Sequence, residues 1–224
     1  MTTTAGTRRR VRFAGLAPAE RRAERRRLLL DTAFDLLASH GLAGTSVRAI
    51  CAANDLNPRY FYENFENLDA LLVAVYDQLL DDLRRALVTA LDEAPSDLPS
   101  QVGAAVQSVV GFVVDDRRRA RVLYVEPLGN AAVNRRRVSA GYELMSFLLT
   151  DAQRRRRGGP SGDPIGATSA AALIGGLSEI VTAWIDGHIV ADRETLVADV
   201  TALFVALLGA ATDIATARAD GPAG

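Results

Sequence analysis

The stretch from Leu29 to Leu71 reads LLDTAFDLLASHGLAGTSVRAICAANDLNPRYFYENFENLDAL, and its spacing predicts three helices in close succession. The first runs from about Pro18 to His40. Proline suits a first helical turn, Glu20 and Glu24 follow where acids complement the positive helix end, and Gly41 closes it. Leu29, Leu30, Ala33, Leu36 and Leu37 recur at helical spacing and form its buried stripe. Thr45 or Ser46 caps a second helix reaching about Ala53, with Val47, Ile50 and Cys51 facing inward. Asn57 caps a third, Pro58 takes its first position, and Phe61 and Phe65 point to the core. Between the second and third lie only Asn54, Asp55 and Leu56, a tight turn followed by an apolar plug. Asparagine and aspartate are the non-glycine residues that best tolerate the left-handed backbone such a turn demands. Two short helices across a tight turn, the second led by polar residues, read as a helix-turn-helix.

Working outward, Asn67 caps a long fourth helix with Asp69 in its first turn. Leu68, Leu71, Leu72, Val75, Leu79, Leu83, Leu87 and Leu91 keep its apolar rhythm to about Ala94. After the loop 95–100, further helices are expected at about 101–114, 116–126, 130–157, 167–190 and 193–218. The fold class is therefore all-α: a three-helix head and a six-helix body. Residues 1–66 hold a basic arm (Arg8, Arg9, Arg10, Arg12) and the helix-turn-helix, and residues 67–224 form the helical body.

The 224 residues are 49% apolar and 24% charged, an ordinary globular balance, and aromatics at only 6% favour helices over sheets. A single cysteine, Cys51, excludes an internal disulfide, and with His40 and His188 far apart the usual zinc patterns cannot be assembled. The arginines near the start are not followed by an apolar core, so no signal peptide is expected. The most apolar stretch, Val200 to Ala211, falls short of the about 20 residues a bilayer span needs, which predicts a cytoplasmic protein without a membrane partner. No nucleophile elbow, phosphate-cradling glycine motif or histidine pair on one helical face occurs, so neither enzyme activity nor a metal or cofactor is expected.

Charge is distributed unevenly. Residues 1–66 carry 11 arginines against 7 acids, a balance of +4, whereas the remainder carries 15 against 20, a balance of −5. A basic head on an acidic body suits a polyanion partner. All 26 basic residues are arginine, which reads as compositional bias and not as a phosphate-binding signal.

The segment quoted above resembles the DNA-binding domain of the TetR family of transcriptional regulators. The matching positions are Leu30, Ala33, Gly41, Thr45, Val47, Ile50, Leu56, Tyr62, Phe65 and Leu71. The resemblance implies that the helix beginning at Asn57 enters the major groove. The residues agree: Asn57, Pro58, Arg59, Tyr60, Tyr62 and Asn64 give that helix donors and rings, and arginine can bridge O6 and N7 of guanine. Arg48 matches a position that contacts DNA in some relatives, and Thr45 and Ser46 offer hydroxyls and backbone N–H groups to a phosphate. Three departures stand out. Asp55 replaces the usual glycine, Asn54 replaces a small alanine and is expected to loosen that corner, and Leu68 replaces a lysine that touches a phosphate.

For the body, the resemblance implies a ligand pocket and a dimer interface made by the last two helices. Candidate pocket residues are Tyr76, Phe112, Tyr124, Tyr142, Met145, Phe147, Trp184 and His188, a list whose low polarity points to a mainly apolar small molecule. Gly175 and Gly176 in mid-helix make sense where another helix approaches closely. The expected function is a ligand-responsive repressor that binds a palindromic operator in double-stranded DNA as a homodimer. The alternative is a helical protein-interaction module with a degenerate helix-turn-helix that no longer reads DNA.

Overall fold

A computed structural model describes residues 17–156 and 164–220, so the basic arm with Arg8, Arg9, Arg10 and Arg12 lies outside the described residues. Nine helices occur among the described residues, and no strand. They are α1 (Pro18–Gly44), α2 (Val47–Ala53), α3 (Pro58–Tyr62), α4 (Leu68–Glu93), α5 (Leu98–Val114), α6 (Arg117–Ala120), α7 (Ala131–Arg156), α8 (Pro164–Ile185) and α9 (Arg193–Asp220).

The chain packs as two compact units. The first comprises residues 17–79 together with Arg118–Arg136, and the second comprises Leu80–Arg117 with 137–156 and 164–220. A division at 66/67 would fall just ahead of α4, whereas packing keeps the opening turns of α4 with the head.

In the first unit α1 packs on α2 and α3. Its core ridge is Leu29, Ala33 and Leu37 with Leu28, while Leu30 and Leu36 are only half-buried. These meet Ile50, Cys51, Leu56, Phe61 and Phe65, all buried, and burial pushes the Cys51 thiol pKa up. Gly41 breaks α1 as expected, with φ 66° and ψ −171°. The bared backbone there is taken up by the segment after α6. Leu42 N–H donates to Glu126 Oε2 (2.9 Å), and Arg121 donates from Nη1 to Ala38 O (3.2 Å) and from Nε to Glu126 Oε1 (2.8 Å).

That segment departs from the α-helix expected over 116–126. After α6 it forms a π-helical turn, Arg121–Val125, closed by Glu126 N–H on Arg121 O, and then a 3-10 turn, Glu126–Gly129. Five steps of about 100° would put Arg121 and Glu126 about 140° apart around an α-helix. The wider turn brings the two side chains to one side, where they meet.

Two further arginines pair with acids on other helices. Arg118 pairs with Asp35 (2.9 Å) and lies 5.1 Å from the Phe34 ring centre, and Arg136 donates to Asp77 (2.5 Å). The side chains of Arg154–Arg157 lie outside the description.

In the second unit α9 packs on α5 and α8. Val106, Val109, Val110 and Val113 of α5 are buried, as are Leu196 and Val200 of α9 and Val181 of α8. The starts of α5 and α9 are tied by side chains: Ser100 N–H donates to Asp97 Oδ1 (2.9 Å) ahead of α5, and Thr195 N–H to Asp192 Oδ1 (2.7 Å) ahead of α9.

Helix α8 ends five residues earlier than its apolar pattern suggests. Gly187 adopts φ 77°, and the N–H groups of Gly187 and His188 turn back onto Trp184 O and Ala183 O. Helices α8 and α9 contain Ile165–Ile185 and Arg193–Arg218, both long and apolar enough to cross a membrane by length and composition. Neither is an unbroken apolar run: Ser178 and Glu179 interrupt the first, and Thr212 and Asp213 the second. Their outer faces carry regular small and aliphatic stripes: Ala171, Ala172 and Gly175 on α8, and Leu203, Leu207, Ala210 and Ile214 on α9, all exposed.

Candidate nucleic-acid interface

Helix α3 is only five residues long, far below the about 12–15 at which an isolated helix becomes even marginal in water. It exists because both ends are held. At the start, Asn57 Oδ1 accepts from Arg59 N–H (2.9 Å), and Pro58 occupies the first position, where its missing N–H costs nothing. At the finish, three arginines of α1 close over the exit. Arg22 Nη2 donates to Glu63 O (2.6 Å), Arg26 Nη1 donates to Asn64 O (3.3 Å), and Arg25 Nη1 lies 3.7 Å from Glu63 Oε2. Arg25 also covers the Tyr60 ring and Arg26 the Phe65 ring, each at 4.4 Å. Cations at a helix C-terminus offset its negative end, so the clamp is favourable on electrostatic grounds as well.

Arg22, Arg25 and Arg26 were not singled out as functional residues. Spacing of three and four places them on one face of α1, but nothing in the sequence names their acceptors.

The turn between α2 and α3 is intact. Asp55 takes φ 53°, the left-handed conformation its position requires. Asn54 does not loosen the corner as expected. Its amide donates to Thr32 Oγ1 (2.8 Å) and Ile50 O (3.0 Å), stitching the turn to α1 and α2. An alanine could make neither bond.

The residues predicted to touch DNA divide into two groups. Ser46, Arg48, Asn57, Pro58, Arg59 and Tyr62 are exposed on α2, α3 and their starts. Ser46 caps α2 by accepting from Ala49 N–H (3.2 Å), which leaves its hydroxyl proton able to donate outward. The Arg59 side chain is 82% exposed and Tyr62 is 60% exposed, while Tyr62 still packs edge-on against buried Phe61 with ring centres 5.2 Å apart.

Thr45, Tyr60 and Asn64 are turned to other work. Thr45 is buried and its hydroxyl donates to Gly41 O (2.8 Å), closing the break in α1, so it is no phosphate donor. Tyr60 lies half-buried beneath Arg25, and the Asn64 amide donates to Tyr60 O (2.8 Å). Leu68, where a phosphate-contacting lysine was expected, is half-buried at the start of α4, behind the Asn67 cap on Ala70 N–H (2.8 Å).

The predicted pocket residues fall in both units. Tyr76 and Tyr124 belong to the first unit, and Phe112, Tyr142, Phe147, Trp184 and His188 to the second. Tyr76 and Phe112 are buried, and Phe147 is half-buried. Desolvation pushes the Tyr124 phenol pKa well above its ordinary value, with Tyr76 adding to the shift. Tyr142, at 62% exposed, and His188 stand in solvent, which corrects their placement in an interior pocket. Trp184 Nε1 already donates to Ala191 O (2.8 Å), and the Met145 side chain lies outside the description.

Comparison with known proteins places this head. Residues 29–75 match the family described as bacterial regulatory proteins, tetR family. No curated protein matches the chain. Among solved structures, the fatty acid degradation regulator FadR from Bacillus halodurans is 20% identical with a TM-score of 0.64, over 80% of this chain and 93% of that one. The multidrug binding protein EbrR, complexed with imidazole, is 23% identical with a TM-score of 0.61, over 80% and 94%. A transcriptional regulator from Rhodococcus sp. Rha1 is 18% identical with a TM-score of 0.63, over 83% and 96%. The chain thus has the fold of these regulators, and its head carries the tetR-family sequence pattern.

Proposed function

We propose that this protein is a cytoplasmic, ligand-responsive transcriptional repressor that binds a palindromic operator as a homodimer and leaves it when a mainly apolar small molecule binds. The observation that carries this reading is the outward row on a clamped helix. Ser46, Arg48, Asn57, Arg59 and Tyr62 are exposed on the two helices of an intact helix-turn-helix with a tetR-family pattern. Such a row supplies both phosphate donors and an arginine able to read guanine. The intact Asn54–Asp55 corner weighs against a degenerate interaction module.

The outer faces of α8 and α9 support dimerisation. A Cβ added at Gly175, Gly176 or Gly209 would meet nothing within 4 Å in the single chain, so internal packing gives those glycines no reason. Close approach of α8 and α9 from a second copy does, and it would cover Leu203, Leu207 and Ile214. Two heads then read two half-sites about one helical turn apart. The likeness to a fatty acid degradation regulator and a multidrug binding protein is in keeping with an apolar effector.

The test is selection of duplexes from a randomised pool by the full chain, followed by titration of the enriched duplex at several salt concentrations. A repressor of this kind enriches an inverted repeat, binds it at least about 1,000-fold more tightly than random duplex, and loses affinity steeply with salt. Equal and feeble binding to every duplex would overturn the reading.

A further inference from the structure

Arg59, the cation of α3, is largely exposed, yet it is not free to wander. Its Nε donates to Glu63 Oε1 (3.1 Å), four residues on and just past the end of α3. Glu63 is itself fixed from three sides: its other carboxylate oxygen faces Arg25, its carbonyl accepts from Arg22, and its N–H donates to Arg59 O (3.0 Å). Arg25, in turn, is largely buried against Tyr60.

An exposed i,i+4 pair adds little to stability, so folding alone gives weak reason for a carboxylate at the reading edge of a basic head. Its electrostatic effect on DNA is unfavourable, because a carboxylate beside phosphates repels them. What it does is specific. Binding Arg59 through Nε leaves the two terminal amino groups pointing away from the pair, the fork that matches O6 and N7 of guanine. The same negative charge penalises the competing pose in which Arg59 falls back onto a phosphate. Discrimination is a difference of affinities, and raising the cost of the wrong contact widens it as surely as improving the right one.

We propose that Glu63 is a specificity-determining residue that aims Arg59 at a base edge and denies it to the DNA backbone. This rests on the DNA-binding reading above.

The test compares wild type, Glu63→Gln, Arg59→Ala and the double variant, all as full chains. The probes are the duplex enriched by wild type and the unselected randomised pool, titrated by fluorescence anisotropy between 50 and 200 mM salt. With Glu63→Gln, the ratio of enriched-duplex to pool affinity falls about tenfold, chiefly because pool binding tightens. The pool's log–log salt slope steepens by about 0.9 as Arg59 gains a phosphate. In the Arg59→Ala background the same change alters the ratio less than about twofold.

An unchanged ratio and slope in Glu63→Gln would overturn the proposal, as would an equal loss in the Arg59→Ala background, which would show Glu63 acting elsewhere. If Glu63→Gln unfolds, Glu63→Asp, which keeps the charge but shortens its reach, must still lower the ratio. Failure of wild type to enrich any duplex would be a different result, removing the DNA-binding reading and this inference with it.

Discussion

Replacing Gly41 by alanine tests the break in α1 directly. At φ 66° and ψ −171° the residue sits in a region essentially restricted to glycine, where a side chain costs about 1–3 kcal/mol. The new Cβ would also lie 2.9 Å from Arg121 Nη2 and 3.1 and 3.3 Å from the two Glu126 oxygens. The guanidinium end can swing aside. The carboxylate cannot do so cheaply, because it holds both Leu42 N–H and Arg121 Nε, and a hydrogen bond to a charged group contributes about 1.5–3 kcal/mol. Strain and partial loss of that contact together predict a destabilisation of about 2–4 kcal/mol. In a protein of this size each kcal/mol lowers the melting midpoint by about 2–4 °C, so a drop of roughly 5–15 °C is expected.

The assay is urea and thermal unfolding followed by circular dichroism at matched protein concentration. Gly166→Ala is the control. Nothing lies within 4 Å of the added methyl there, and the helical site should be neutral or gain up to about 1 kcal/mol. A Gly41→Ala protein within about 0.5 kcal/mol of wild type would refute the account of how the break is held.

Asn54→Ala should cost about 1–2 kcal/mol, read from the urea midpoint, because Thr32 and Ile50 O both lose a donor. Gly175→Leu should weaken self-association about tenfold or more by overpacking the contact between α8 helices, and an unchanged sedimentation mass at dilute concentration would argue against that interface. Cap hydrogen bonds from Ser100 and Thr195 hold the Asp97 and Asp192 carboxyls below the ordinary aspartate range. Their contribution is fully present above the ordinary value of about 3.9 and is lost as pH falls through the lower folded values. Asparagine caps a helix at any pH, so the double Asp97→Asn, Asp192→Asn variant should show a shallower fall of the urea midpoint between pH 6 and pH 2.

The helices were legible in the sequence because their causes are local. Gly41, Ser46, Asn57 and Asn67 act within a turn of themselves, and the leucine rhythm of α4 needs no knowledge of its partner. Where the reading strayed, the cause lay elsewhere in the chain or in a backbone angle. The apolar pattern of α8 runs on through Ile189, and only the positive φ of Gly187 ends the helix before it. Nothing within Arg121–Val125 announces a π-helical turn, since the reward for it is a contact with the break in α1. Thr45 reads as a phosphate donor by position, but its buried hydroxyl donates to Gly41 O. The outward residues of α3 were identifiable as polar side chains on a capped helix. The arginines that hold it were not, because their acceptors are main-chain carbonyls about 40 residues away.

That last detail bears on how such a reader could be retuned. Because Arg22 and Arg26 grip the carbonyls of Glu63 and Asn64, their hold on the end of α3 does not depend on which side chains its outer face displays. Asn57 aside, which doubles as the cap, the lettering on the outer face can be rewritten at Arg59 or Tyr62 without renegotiating the scaffold beneath. Substitutions at those two positions should therefore yield folded proteins with new sequence tastes, while changes at Arg22 or Arg26 should blur every taste alike.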